Sequence, residues 1–397
     1  MVSGSALAAR PMRWADLVDP RPPRIHRIEP VTGPLAAAVG RLDAVLGRHG
    51  ESAARAVPSA GAIYPYEILL TTADHGACAL VDPARRQVLV RHRDDFRIAP
   101  DGAGYLLVGR PWLSMRKYGS RGYLYHLIDS GHALLNLALL DRAGPPASAP
   151  DRWLPPVRAA GAHDALAVGH LRTDPGPADP LPHWRMVVTT DDTVHTGRTA
   201  YEQWATQLIP SGPSRPVLIS GVAERAETLR GLLTTRRSAR GFTATPAPRL
   251  ADALHDGFQR AAMMLSQFRL PMPRTHIVDP SRGAPGLGGD DLLAGLGGQE
   301  HLRHAAAFVV IGAPSSPSDH IDDERKKLLL AVGVLGQALY LAATEHAVGV
   351  TGVGGIDPSY WRRFLAAGEQ PLYLIALGTA ADDAAGKVDA LAQGSHE

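Results

Sequence analysis

Three arginines and a hydroxyl stand together in Arg236-Arg237-Ser238-Ala239-Arg240, just past a run of helical periodicity over 223–233. Guanidinium groups bind phosphate oxygens in pairs, and a serine hydroxyl fills a remaining acceptor site, so the cluster suits a phosphate. The same residues also suit a solvated basic helix end. A second stretch, Pro58-Ser59-Ala60-Gly61, is a turn of small residues running into Tyr64 and Pro65. Such turns let backbone approach a flat ligand closely. Acid–base chemistry has a candidate in Lys117-Tyr118, because an ammonium stabilises a neighbouring phenolate. The alternative there is a snorkelling pair at a helix start. A glycine-rich turn, Gly352-Val353-Gly354-Gly355, completes the set.

The elements that must position these residues come in two passes of similar order. In the first, a helix over 35–46 precedes the small-residue turn, strands follow at 67–72 and 87–90, and an apolar helix over 124–140 begins after Lys117-Tyr118. That helix is apolar almost all round, which predicts a place in a core or an interface. His132 within it fits a core histidine. A short strand over 165–169 and a Pro/Gly-rich boundary at 173–180 close this pass. The second pass has helices over 223–233 and 250–265, strands at 275–278 and 307–311, an apolar helix over 328–344 and a last strand at 372–377. Ser59 to Gly131 and Ser266 to Gly333 are nearly equal stretches, which points to a divergent internal repeat. Two halves are expected, 1–180 and 219–380, with a connector over 181–218 and a disordered tail over 381–397.

Composition excludes several classes. The 397 residues, 45% of them apolar, suffice for two cores, and a net charge of +2 gives no global field for nucleic acid or an anionic membrane. One cysteine, Cys78, rules out a disulfide framework and any cysteine-based metal centre; it reads as a small half-buried residue. The 17 histidines show no convincing ligand spacing, so no metal is expected. No zinc-protease pattern or nucleophile elbow occurs, and Gly286-Leu287-Gly288-Gly289 lacks the third glycine of a dinucleotide site. Residues 1–11 hold no apolar run, so the protein is expected in the cytoplasm. The run 328–343, interrupted by Gln337, is too short to span a bilayer and reads as a buried helix.

Taken together, the motifs resemble those of the nitroreductase-like flavoenzymes, and among them the SagB/ThcOx-type azoline dehydrogenases. The resemblance implies that Arg236, Arg237, Ser238 and Arg240 bind the phosphate and ring edge of FMN, with Pro58, Ser59, Ala60, Gly61, Gly354 and Gly355 also contacting the cofactor. It implies catalytic roles for Lys117 and Tyr118, and places Tyr64, Arg121 and His132 on the substrate side. Each half lacks what the other keeps: the first has only Arg24-Ile25-His26-Arg27 where an arginine–serine cluster would fall, and the second has Leu265-Ser266-Gln267-Phe268 in place of the small turn. Enzymes of this type usually build each flavin site from two subunits. The expected architecture is therefore α+β: tandem nitroreductase-like domains, each a mostly antiparallel sheet surrounded by helices, forming an intrachain pseudo-dimer with one FMN.

The implied activity is oxidation of a thiazoline or oxazoline in a ribosomal peptide to the aromatic azole. A cyclodehydratase or leader-peptide-binding protein is the expected partner. Two alternatives stand beside it: a nicotinamide-dependent reductase of nitro, quinone or ene substrates, and a flavin-free scaffold of a peptide-modifying complex.

Overall fold

A computed structural model describes residues 25–46, 55–72, 78–82, 86–90, 98, 103–119, 121–140, 166–173, 181–189, 217–219, 226–282, 289–315 and 323–381. Arg24, the expected boundary at 174–180, most of the expected connector and the tail from 382 lie outside them.

The first sheet has eight strands: β1 (Ile25–Val31), β2 (Tyr66–Thr72), β3 (Cys78–Asp82), β4 (Gln87–Val90), β5 (Ala103–Gly109), β6 (Leu166–Thr173), β7 (Leu181–Thr189) and β8 (Val217–Ile219). Their order across the sheet is β1-β7-β4-β3-β2-β5-β6-β8. All pairs are antiparallel except β4 with β7 and β6 with β8. β7 and β8 include residues expected in the connector, and β6 runs on past Gly169, where the sequence predicts the strand to end. Period-two patterning accounts for β7: Trp184 and Met186 are buried while His183 and Arg185 face solvent. Its pairing partners, β1 and β4, lie far away in sequence, so nothing local announces the strand.

The second sheet is antiparallel throughout. Strands β10 (Arg274–Val278), β11 (Ala307–Pro314), β12 (Gly349–Val353) and β13 (Glu369–Ala380) take the order β10-β11-β13-β12, and β9 (Phe242–Thr243) pairs with the end of β13. β13 extends well beyond the expected 372–377 because β11, β12 and β9 each cover part of its length.

Two helices fill the space between these sheets: the first carries Arg121–Leu140 and the second Asp323–Glu345. In chain order the helices are α1 (Gly33–Leu46), α2 (Pro111–Tyr118), α3 (Arg121–Leu140), α4 (Ala226–Thr235), α5 (Leu250–Gln267), α6 (Gly289–Gly295), α7 (Asp323–Glu345) and α8 (Pro358–Arg362). α7 has 23 residues, long and apolar enough by composition to cross a membrane, but Leu329 to Ala343 are all buried within the protein. Its exposed first turn carries the charge run, with Glu324 accepting from Lys327 at 2.7 Å.

α3 and α7 pack directly on each other, and their contact at two glycines is reciprocal. A Cβ on Gly131 would overlap the Leu330 carbonyl oxygen, and a Cβ on Gly333 would overlap the Ile128 carbonyl oxygen. Each glycine thus meets the carbonyl three residues before the other, so the two contacts are images of one another. Only glycine allows backbones this close. A hydrogen bond from Gln337 to Asn136, 2.6 Å, joins the same two helices. Each fully buried leucine at this interface stabilises the fold by about 2 kcal/mol.

Candidate functional site

The small-residue turn is held from below by a carboxylate. Ser59 Oγ donates to Asp129 Oδ2 at 2.6 Å, the Ala60 amide donates to the same oxygen at 3.1 Å, and the Tyr64 amide donates back to Ser59 Oγ at 2.8 Å. Within this turn Gly61, Ala62 and Tyr64 have φ of 62°, 53° and 51°. Two of the three are not glycine, so the backbone stores strain that its surroundings must hold. Asp129 is fully buried, and desolvation pushes its carboxyl up to about 7 against the opposing pull of its Ser59 and Ala60 bonds.

Gly61 packs against the catalytic candidates. A Cβ there would lie 2.5 Å from both Lys117 Nζ and Tyr118 Oη. These two residues end α2 rather than open the next helix, and Gly119, with φ of 60°, turns the chain into α3. A buried ion pair fixes the start of α2: Arg110, which precedes Pro111, donates through Nη1 to Glu67 on β2. Lys117 is exposed, with its ammonium 5.5 Å from the Tyr118 ring centroid, and Tyr118 is half-buried. The Tyr118 ring stands edge-on to Tyr125, centroids 5.1 Å apart.

The glycine turn of the second half arrives at the same place. A Cβ on Gly354 would lie 3.7 Å from Tyr118 Oη and from the Ala60 methyl. Tyr125 Oη donates to the Gly354 carbonyl while accepting from Arg121 Nε at 2.9 Å, and Arg121 Nη2 reaches the Leu372 carbonyl at 3.4 Å. Gly355 is anchored on its other side by Gln299 Nε2, 2.8 Å from its carbonyl. Gly352 belongs to β12, and the Tyr373 hydroxyl occupies the space a side chain there would need.

The arginine cluster follows α4 as irregular chain, and Arg236 docks onto residues 55–56. Arg236 is buried; its Nε donates to the Ala56 carbonyl at 2.7 Å and its Nη2 to the Arg55 carbonyl at 3.1 Å, just before Pro58. Its Nη1 is buried with no hydrogen-bond partner among the described residues, and burial lowers its pKa. Arg237, Ser238 and Arg240 are exposed. Arg237 Nη1 donates to the Arg236 carbonyl at 2.8 Å, and Ser238 Oγ lies 3.2 Å from Tyr340 Oη, which accepts from the Gly352 amide at 2.6 Å.

Of the three expected substrate-side residues, Tyr64 and His132 are buried and Arg121 is half-buried beside the glycine turn. Tyr64 is buried, its hydroxyl accepting from the Arg55 amide at 2.7 Å, because its left-handed backbone turns the ring inward. His132 lies wholly inside the α3–α7 interface, between the rings of Tyr340 and Tyr373. Burial, assisted by the charge of Arg236, depresses its pKa to about 3, so it is neutral. Arg121 supports Tyr125. The motifs, in turn, miss Tyr125 and Asp129. Their signal is spacing: Arg121, Tyr125 and Asp129 recur every four residues, a polar stripe on an otherwise buried helix.

The site thus has an arginine–serine segment, a strained turn, a lysine–tyrosine pair and a glycine turn, drawn from both parts of the sequence. Residues 248–379 match the Nitroreductase family. No curated protein matches the chain. Among solved structures, one assigned as a nitroreductase from Anabaena variabilis aligns over 95% of this chain and 97% of its own, with 16% identity and a TM-score of 0.56. A nitroreductase family protein from Clostridium novyi aligns over 39% of this chain and 86% of its own, at 15% identity and a TM-score of 0.30. An oxidoreductase described as containing FMN aligns over 38% and 76%, at 18% identity and a TM-score of 0.28. The match of residues 248–379 to the Nitroreductase family and the alignment over nearly the whole chain together show a nitroreductase-like α+β fold.

Proposed function

We propose that this protein is an FMN-dependent oxidoreductase of two tandem halves, holding one flavin at their junction and oxidising a thiazoline or oxazoline of a ribosomal peptide to the azole. The observation that carries this reading is the meeting of Gly61, Lys117, Tyr118 and Gly354 beside the seam closed by Arg236. The residues fit the cofactor. Arg237, Ser238 and Arg240 offer exposed donors for a phosphate, the Nη1 of Arg236 meets no acceptor among the described residues, and Gly354 leaves open the position where a Cβ would only touch Tyr118 and Ala60 at 3.7 Å. The reciprocal Gly131–Gly333 crossing supports the tandem reading, because a two-fold relation makes residue i meet j as j meets i.

FMN bound there would supply the two-electron acceptor. The protein's own share is positioning and proton movement. Tyr118 Oη takes the proton from the ring carbon beside the one that loses hydride, and the Lys117 ammonium stabilises the charge on that oxygen. Lys117 is exposed, so the proton has a path to solvent. Dioxygen is the proposed terminal acceptor, and a partner protein the proposed means of delivering the peptide.

The test is the visible spectrum of purified protein with FMN quantified, followed by turnover of an azoline-containing peptide under air. Yellow protein that forms azole supports the reading. Protein that stays colourless with added FMN overturns the flavin, and rapid turnover of nicotinamide with a quinone but none of the azoline overturns the substrate.

A further inference from the structure

From its place beneath the strained turn we infer that Asp129 is a positioning residue, whose buried carboxylate holds residues 59–64 in the shape that presents Gly61 to Lys117, Tyr118 and Gly354. The inference rests on the flavin reading for its consequence, though not for its geometry.

A turn with three left-handed residues in four positions relaxes unless something fixes it. Among the described residues the fixing bonds are few. Asp129 Oδ2 takes both the Ser59 hydroxyl and the Ala60 amide, and Ser59 Oγ passes the restraint on by accepting from the Tyr64 amide. One carboxylate thus sets both ends of the left-handed segment. It stands on α3, four residues beyond Tyr125, which holds the Gly354 carbonyl. Both turns that flank Tyr118 are therefore referred to a single rigid helix. A buried carboxylate is costly in such a place, and nothing in helix packing calls for one between Ile128 and Ala133. Its chemistry suits the two donors it accepts, which an apolar residue would leave unpaired.

An Asp129→Asn side chain can keep the bonds to Oδ2, where Ser59 and Ala60 converge, and loses only the longer 3.3 Å contact of Ala60 with Oδ1; Asp129→Ala keeps none. The experiment compares Asp129→Asn, Asp129→Ala and Ser59→Ala with the wild-type chain by amide hydrogen exchange across 58–66 without cofactor, and by FMN titration. Exchange at the Ala60 and Tyr64 amides should rise in Asp129→Ala and Ser59→Ala and stay near wild type in Asp129→Asn. FMN affinity should follow the same order, falling roughly tenfold or more in the first two. Combining Ser59→Ala with Asp129→Ala should cost less than the sum of the two, because both remove the Ser59–Asp129 bond, although each also removes one of its own. Unchanged exchange in Asp129→Ala overturns the inference, as does strict additivity of the pair. Should Asp129→Ala fail to fold, Ser59→Ala and Asp129→Asn decide by the same readout. A wild-type chain that takes up no FMN defeats the flavin reading alone, while the exchange data still judge Asp129.

Discussion

Tyr118 and Lys117 reach the same point beside Gly61, away from the arginines under the proposed division of labour. Tyr118→Phe and Lys117→Ala should leave FMN affinity near wild type while lowering azole formation roughly 10²–10⁴-fold, the range for a positioned acid–base group. Steady-state rates at saturating flavin test this; wild-type rates in the double variant would reject the pair. Asp129 makes a second prediction, about pH. Its folded pKa, about 7, lies above the unfolded value near 3.8, so between these values the native state binds more protons and stability falls as pH rises. The loss is complete above the folded pKa and amounts to at most about 4 kcal/mol. Urea denaturation should show the wild type stronger at pH 5 than at pH 8, with Asp129→Asn removing most of that difference.

Among the elements, α3 and α7 meet backbone to backbone at Gly131 and Gly333. Gly131→Ala or Gly333→Ala would drive a methyl into a helix carbonyl and force the helices apart, at a cost of about 1–3 kcal/mol or more. Because the contacts are images, the two variants should cost similar amounts in chemical denaturation, and a large inequality would count against the symmetric relation. Gly61→Ala is different in kind. It adds strain of about 1 kcal/mol at a left-handed position but also displaces Lys117 Nζ and Tyr118 Oη, so turnover should drop further than stability does.

Across the entire chain, the division of residues between halves leads to stoichiometry. A site built from Pro58–Gly61, Lys117 and Tyr118 on one side and from 236–240 and Gly354 on the other should take one FMN per chain, and two at saturation would refute the single junction. Arg237→Ala or Arg240→Ala should weaken FMN binding by about 1.5–3 kcal/mol with little effect on folding. Arg236→Ala should do both, because the buried guanidinium also ties Ala56 and Arg55 to the second half. Equal melting temperatures for Arg236→Ala and Arg240→Ala would contradict the clamp.

Most of the elements that bear the candidate residues are legible in the chain alone, because helical periodicity, strand patterning and small-residue turns are local properties. Strand β4 falls where its pattern predicts, and α3 and α7 are as buried as their apolar surfaces require. Charge and hydroxyl content flagged Arg236, yet folding alone turned it inward onto the Ala56 carbonyl while Arg237 and Arg240 stayed exposed. Side-chain direction depends on what packs across from it, and for Arg236 the partner lies 180 positions away. The same reason explains β7, whose neighbours are remote in sequence, and His132, whose burial between Tyr340 and Tyr373 comes from the other half. For Asp129 the four-residue spacing marks a polar stripe, but what the carboxylate accepts is decided only when the turn it holds is folded down upon it.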